Sequence, residues 1–336
     1  EQNYCEEGDI IFADASEDLL DVGKSIEIVN LNKEKLLSGL HTLLARPEKG
    51  IFCLGFNGHL FKSNFVRTQI QKEAQGTKVL SINTGRISKI DLSYPDIKEQ
   101  AKITLLLSLI DERIQTQNKI IEQYETLIKG IGEKLFSQQF KFSGFTENWN
   151  SKKLGEIFYS EKGRGLSKEK VQSDGKYECI LYGELYTKYK EVIVDIKSKT
   201  NEEDGLKSQI GDLLIPSSTT TTGIDLANVT AINKENVLLG GDITILRSKE
   251  EINNVFYAYY LSNYKKEEIA NYAQGTTIVH LYYYHIRNML IDFPPMEEQT
   301  IISQFLLSID SKIKLENNIL EQYQFQKQFL LQNLFI

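Results

Sequence analysis

Residues 94–100 read YPDIKEQ and residues 293–299 read FPPMEEQ, and each opens a stretch of about forty residues with no further proline beyond the opening ones. The two stretches are offset by 199 (293 − 94). The same offset carries Asp111 to Asp310, Ile114 to Ile313, Asn118 to Asn317, Glu122-Gln123-Tyr124 to Glu321-Gln322-Tyr323, and Leu135-Phe136 to Leu334-Phe335. Working outward, EAQGTKV at 73–79 matches YAQGTTI at 272–278. Further upstream, Gly8-Asp9-Ile10-Ile11 matches Gly211-Asp212-Leu213-Leu214 at an offset of 203, so the first copy carries four extra residues in between. Landmarks held at a fixed offset over this length mark a tandem duplication. Residues 149–203 have no partner in the first copy, so either the natural chain begins earlier than Glu1 or the first copy is genuinely truncated, and an opening Glu rather than Met favours the former.

Each copy has two parts. The second part is one long helix: proline sits at its start, followed by acids in the first turn (Asp96, Glu99; Glu297, Glu298), where they complement the helix dipole. Spacings of 4 and 3 pick out Ile103, Leu107, Ile110, Ile114, Gln117, Ile121, Tyr124, Ile128, Ile131 and Leu135, nine of ten apolar. The second copy gives Ile302, Leu306, Ile309, Ile313, Glu316, Leu320, Tyr323, Lys327, Leu330 and Leu334, eight of ten apolar. A sustained period of 3.5 predicts a coiled-coil interface, centred on Ile103, Leu107, Ile110, Ile114 and Ile121 in one helix and Ile302, Leu306, Ile309, Ile313 and Leu320 in the other. The first part is mixed and rich in strand signals, as at 190–195, 212–215 and 242–246, with a shorter helical stretch at roughly 252–272. The fold class is therefore α+β, a mixed α/β unit and a long helix, twice. The segments read as 1–94, 95–148, 149–294 and 295–336.

Composition narrows the function. Apolar residues are 41% and charged residues 25%, with a net charge of −7, so no field over the whole chain attracts nucleic acid. No apolar run is long enough to span a bilayer, and the N-terminus lacks the pattern of a signal peptide. Cys5, Cys53 and Cys179 are far apart and suit a reducing cytoplasm, the expected location. Neither GxxxxGK[ST] nor GxGxxG occurs, and His41, His59, His280 and His285 include no HExxH. Asp96, Glu99 and Lys102 belong to helix first turns rather than to a nuclease cluster. His280 and His285 flank LYYY and read as aromatic packing. No catalytic residue and no metal site is expected.

Three features could bind. Residues 149–199 hold eleven Lys/Arg against eight Asp/Glu, and within them Lys162, Arg164, Lys168 and Lys170 form a basic glycine-containing loop suited to phosphate. Ser217, Ser218, Thr219, Thr220 and Thr221, followed by Thr222-Gly223, form a loop of short hydroxyls able to approach bases or phosphates. The matching stretch Ala13-Asp14-Ala15-Ser16 differs completely, as two units reading different things would require. The third is Gln274, Thr276 and their copies Gln75, Thr77, with Lys78 beside them. The glycine between, Gly76 or Gly275, predicts a positive-φ turn. Each of the three could equally be a solvated or structural loop.

On the opening WNSKKLGEI at 149–157, with its KLGEI strand, and on the doubled AQGT turn, helix start and LLSID heptad region, the chain resembles the specificity (S) subunits of type I restriction–modification systems. The resemblance covers essentially the whole chain. It implies two target-recognition domains, each followed by a long helix, with the helices paired antiparallel about a pseudo-twofold. It implies a non-catalytic subunit that reads a bipartite target in double-stranded DNA. Its partners would be two methyltransferase subunits and restriction subunits, and those partners, not this chain, would use S-adenosylmethionine, ATP and Mg. The alternative is a truncated or orphan coiled-coil scaffold that binds methyltransferase subunits without full target recognition. The first copy departs from the pattern, because counterparts of Trp149, KLGEI and the basic loop are missing from it.

Overall fold

The Gly-Asp pairs build the same corner twice. The structure, a computed structural model, describes residues 4–335; residues 1–3 and 336, which fall in the first and last segments read from the sequence, lie outside the described residues. Gly8 and Gly211 take φ of 93° and 94°. The aspartate that follows is buried and accepts a backbone N–H from three residues before it, Glu6 to Asp9 at 2.7 Å and Gln209 to Asp212 at 2.9 Å. An arginine from a neighbouring strand or its end then clamps it. Arg46 donates to Asp9 through two nitrogens at 2.8 Å each, and Arg247 to Asp212 at 3.0 and 3.3 Å. The balance differs between copies. The Arg46 hydrogen bond holds the Asp9 carboxyl below its usual range, whereas burial pushes that of Asp212 up.

Two compact units form, one of residues 1–122 with 314–336 and one of residues 123–313. The first unit holds an antiparallel three-stranded sheet in the order Ser25–Glu27, Ile10–Ala13, Thr42–Ala45. Ile10 and Phe12 point into a core with Val22, Phe56, Leu60, Val66 and Ile70, closed by Ile103 and Leu107 from the first long helix and by Phe335 just past the end of the second. The second unit carries the equivalent strands Thr230–Ile232, Asp212–Pro216 and Ile243–Ser248. They are flanked by Val192–Ile193 and Phe158–Lys162, giving five strands. A second five-stranded sheet, from Val171–Gln172 to Leu238–Leu239, covers the face bearing Leu214, Ile243 and Ile245. Both flanking strands and four of the second sheet's five strands come from 158–207, almost wholly the stretch with no counterpart in the first copy. The other face of the first sheet packs on an aromatic core of Trp149, Phe158, Phe256, Tyr257 and Tyr260.

Local readings are adjusted in several places. The strand expected at 190–195 is confined to Val192–Ile193. KLGEI is one helical turn, Leu154–Ile157, because Glu156 accepts the Lys153 N–H at 2.8 Å and closes the turn; the strand lies before it, at Asn150–Lys153. The stretch at 252–272 is Asn254–Tyr259 and Lys266–Asn271 joined by a wider π-turn at Tyr260–Tyr264.

The long helices are continuous, Ile97–Phe136 and Met296–Asn333, and each contributes one stretch to each unit. They run antiparallel: in the first unit Leu330 and Leu334 join the cluster of Ile103 and Leu107, and in the second Leu135 and Phe136 join that of Ile302 and Leu306. The heptad positions are the buried or half-buried ones throughout, with Leu107, Ile302 and Leu306 closed to solvent. The polar seam positions find partners. Gln117 Nε2 donates to the Glu316 carbonyl at 3.0 Å and to its carboxylate at 2.5 Å, so this residue meets its own copy. The Lys327 ammonium pairs with Asp111. The helix starts are pinned alike. Gln100 donates to the Pro95 carbonyl and Gln299 to that of Pro294, both at 2.9 Å. Each then accepts a backbone N–H from the mixed part, Cys53 at 2.8 Å or Asn253 at 3.0 Å. This gives the repeated EQ a mechanical role.

Candidate nucleic-acid interface

In the second unit two of the three binding features become neighbours, and one residue of the third joins them. Ser218–Thr219 is a short strand, not a loop, and pairs antiparallel with Val279–His280. Gln274 exchanges two backbone hydrogen bonds with His280, at 2.9 and 2.7 Å. The strand 279–280 thus lies between the hydroxyl-rich segment and the QGT turn. The first unit repeats this layout: Ala15–Ser16 pairs with Leu80–Ser81, and Gln75 exchanges the same two bonds with Ser81. Gly76 and Gly275 have φ of 141° and 125°, and a Cβ there would come within 1.9 or 2.0 Å of the carbonyl three residues on. The turn therefore requires glycine. Gln75, Thr77 and Lys78 of one turn, and Gln274 and Thr276 of the other, are exposed.

The hydroxyls divide into two groups. Ser217, Ser218 and Thr219 are buried, which corrects their reading as part of an open loop. Ser217 Oγ shares a hydrogen with Thr244 Oγ1 at 2.7 Å, Ser218 donates to Asp242 at 3.1 Å, and Thr219 shares one with Thr221 at 2.7 Å. Sheet pairing on one side and Thr244 on the other turn these three inward. Thr220, Thr221 and Thr222 stay exposed. Thr221 and Thr222 both donate to Asp225, at 2.5 and 3.2 Å, and the Thr221 hydrogen bond holds that carboxyl below its usual range.

The basic residues separate. Lys162 ends the strand Phe158–Lys162, which corrects its placement in a loop, and its exposed ammonium lies 3.4 Å from Asp242 and 5.7 Å from the Tyr282 ring centre. It therefore belongs to the same surface as the hydroxyls and the QGT turn. Arg164, Lys168 and Lys170 stand at the second sheet instead. The Arg164 N–H donates to Leu239, Lys168–Lys170 is a 3₁₀ turn, and Lys170 pairs with Glu202 at 3.1 Å. All three are exposed.

Four residues on this surface were read only as packing or passed over. His280, Tyr282, Tyr284 and His285 form a row of rings: His280 on Tyr282 at 5.5 Å, Tyr282 on Tyr284 at 5.7 Å, and Tyr284 edge-on to His285 at 4.2 Å. Tyr284 is 61% exposed. Only Tyr283 and Leu281 behave as packing residues. Tyr283 donates to the Phe158 carbonyl at 2.7 Å, and Leu281 is buried. The outward signal was the failed match of HLYYYH to SINTGR inside an otherwise matching frame.

Among the described residues no group of three or more His, Cys, Asp or Glu comes together to hold a metal, and no helix is long and apolar enough to cross a membrane. The surface gathers short polar side chains and a row of rings, Tyr284 exposed and the other three half-buried, beside Lys162, on a frame that occurs twice.

That frame defines a class. Residues 146–323 match the type I restriction modification DNA specificity domain, and the chain belongs to that family. It is 27% identical over 96% of its length to a candidate type I restriction enzyme specificity subunit, MjaX, of Methanocaldococcus jannaschii, of which it covers 76%. It is 24% identical over 92% of its length to that organism's MjaVIII specificity subunit, of which it covers 75%. The S subunit of a type I restriction–modification system from M. genitalium shares the fold, with a TM-score of 0.60 at 19% identity over 98% of this chain and 83% of that one. So does a chain solved in a study of complex assembly and conformational transition of the type I system, with a TM-score of 0.61 at 16% identity over 98% and 81%. The fold is thus that of an S subunit, two mixed α/β parts and two long helices.

Proposed function

We propose that this chain is the sequence-reading subunit of a type I restriction–modification complex, each unit reading one part of a bipartite target in double-stranded DNA. The observation that carries the reading is the doubled frame with exchanged surface chemistry. The strand pairs 15–16/80–81 and 218–219/279–280 correspond in register, while the residues they carry differ in kind, Ala15, Ser16, Leu80 and Ser81 in one and Ser218, Thr219, Val279 and His280 in the other. Phosphate contact falls to Lys162, with Arg164, Lys168 and Lys170 as outlying cations. Thr220, Thr221, Gln274 and Thr276 line the DNA in one unit, and Gln75, Thr77 and Lys78 in the other. Ser217, Ser218 and Thr219 shape the surface from beneath. The paired helices receive two methyltransferase subunits and, through them, restriction subunits. S-adenosylmethionine, ATP and Mg act in those partners, and the chemistry is theirs.

The test is a map of methylated bases in host DNA with and without this subunit. Loss of methylation at one bipartite motif is expected, and an unchanged map overturns the reading. A scaffold that assembles methyltransferase subunits without full target recognition draws support from the first unit, whose main sheet has three strands where the second unit's equivalent has five and is covered by a second five-stranded sheet. That reading expects subunit assembly with methylation confined to a half motif.

A further inference from the structure

We infer that the outward side chains of residues 280–285, namely His280, Tyr282, Tyr284 and His285, are the sequence-discriminating contacts of the second unit, and that Ser81, Asn83 and Thr84 serve the first. The inference rests on the proposed reading of this chain as a DNA-sequence reader, and it names the side chains that do the reading.

The frame of this segment is the same in both copies. Gln75 with Ser81, and Gln274 with His280, exchange backbone bonds of 2.9 and 2.7 Å. A short helix follows each, Thr84–Ile87 and Tyr283–Ile286. The inward residue keeps its type and burial: Ile82 is 3% exposed and Leu281 1%. Ile87 and Ile286 both face their cores. The outward residues change as a block. The offset of 199 sets Ser81 against His280, Asn83 against Tyr282, Gly85 against Tyr284 and Arg86 against His285. A scaffold role would be met by either set. Exchange of the outward set on a kept frame is what two readers of different sequences require; one inward position changes as well, Tyr283 being matched by the exposed Thr84.

The chemistry of each set suits base edges. The His285 Nδ1 accepts the Tyr282 N–H at 3.3 Å, which leaves the hydrogen of the neutral ring on Nε2. Tyr282 Oη bonds His280 Nδ1 at 3.1 Å and so holds the two stacked rings in place. Imidazole N–H and phenol O–H donors match the acceptors of guanine and thymine in the major groove, and ring faces match the thymine methyl. Exposing a tyrosine ring forfeits burial, and nothing in the described fold requires it at Tyr284. Lys162 beside Tyr282 adds a cation for the adjoining phosphate. In the first unit the Arg86 guanidinium is held by the Glu73 carbonyl at 2.9 Å, the Ser81 hydroxyl donates to the Gln75 carbonyl at 3.3 Å, and the Asn83 oxygen accepts the Arg86 N–H at 3.1 Å, which leaves the Thr84 hydroxyl, the Asn83 amide N–H groups and the Ser81 oxygen as an acceptor to face DNA.

Random-sequence DNA duplexes selected on the full chain, copurified with whatever subunits accompany it, test this by sequencing of the retained pool. Tyr284→Ala and His285→Gln should each lower discrimination about tenfold or more at one or two positions of one half of the motif. The other half, and retention of unrelated DNA, should stay within about twofold. Thr84→Ala should act on the other half alone. If folded Tyr284→Ala and His285→Gln select the wild-type motif with undiminished discrimination, the inference is overturned while the sequence-reading function stands. A wild-type chain that enriches no motif overturns both. Should Tyr284→Ala unfold, Tyr284→Phe decides, since it removes only the hydroxyl: lost discrimination supports the inference and an unchanged motif overturns it.

Discussion

At the scale of single residues, charge placement decides what each group can do. Lys162 pairs with Asp242 at 3.4 Å, but both side chains are exposed and such a pair is weak, so the ammonium remains available to a phosphate. Lys162→Ala should weaken binding to every DNA sequence alike and lower the salt slope by about one. Binding titrations at several salt concentrations check this, and an altered motif at an unaltered slope would contradict it. Asp310 is the opposite case. Its copy Asp111 has the Lys327 ammonium, but Ile128 stands at the position matching Lys327, and Asp310 accepts the Tyr259 hydroxyl instead, with Lys190 as a weaker, more distant cation. Burial first, and the Glu191 carboxylate next, push its carboxyl from 3.8 up to about 6. A carboxyl raised in the folded state costs stability when ionised. Stability should therefore fall as pH rises from about 4 through about 6. Asp310→Asn should remove that part of the slope and gain roughly 1–2 kcal/mol at pH 7, measured by denaturation against wild type across the same pH range.

At the scale of elements, the turns and seams have separable costs. Gly275 and Gly211 both have positive φ, yet an added Cβ collides with the Ile278 carbonyl at the first and meets nothing at the second. Gly275→Ala should cost about 2–3 kcal/mol, Gly211→Ala about 1, as midpoint shifts in denaturant. Equal shifts would show that conformation alone, not the collision, sets the cost. The basic segment and the hydroxyl-rich segment were legible as candidates from composition. Their division into outward and inward groups was not, because it depends on a strand pair, 218–219 with 279–280, whose members lie sixty residues apart. Local propensity carries no information about such a pairing.

At the scale of the whole molecule, the duplicated helices are the elements that both units share. Ile309 is 7% exposed, so Ile309→Asp places an unpaired charge in the seam and should cost at least about 3 kcal/mol. Copurification of partner subunits should fall with it, and normal assembly at normal stability would contradict the seam. The seam was readable from the sequence because a 3.5 period over forty residues has one physical solution, burial of that stripe against another helix. Its polar positions were readable only as exceptions. That Gln117 meets Glu316, its own copy, follows from antiparallel pairing, which a heptad pattern does not specify.

The sequence by itself determined the duplication, the α+β class, the two helices with their buried faces, and the glycine turns. Each rests on a period or on a conformation that one residue type tolerates, and both are local. Tertiary structure alone decided which helix faces pair, which hydroxyls are buried, and which of the six residues HLYYYH face outward. These depend on groups distant in the chain, such as Thr244, Asp242 and the Phe158 carbonyl, reaching the same place, and a linear pattern records no such meeting.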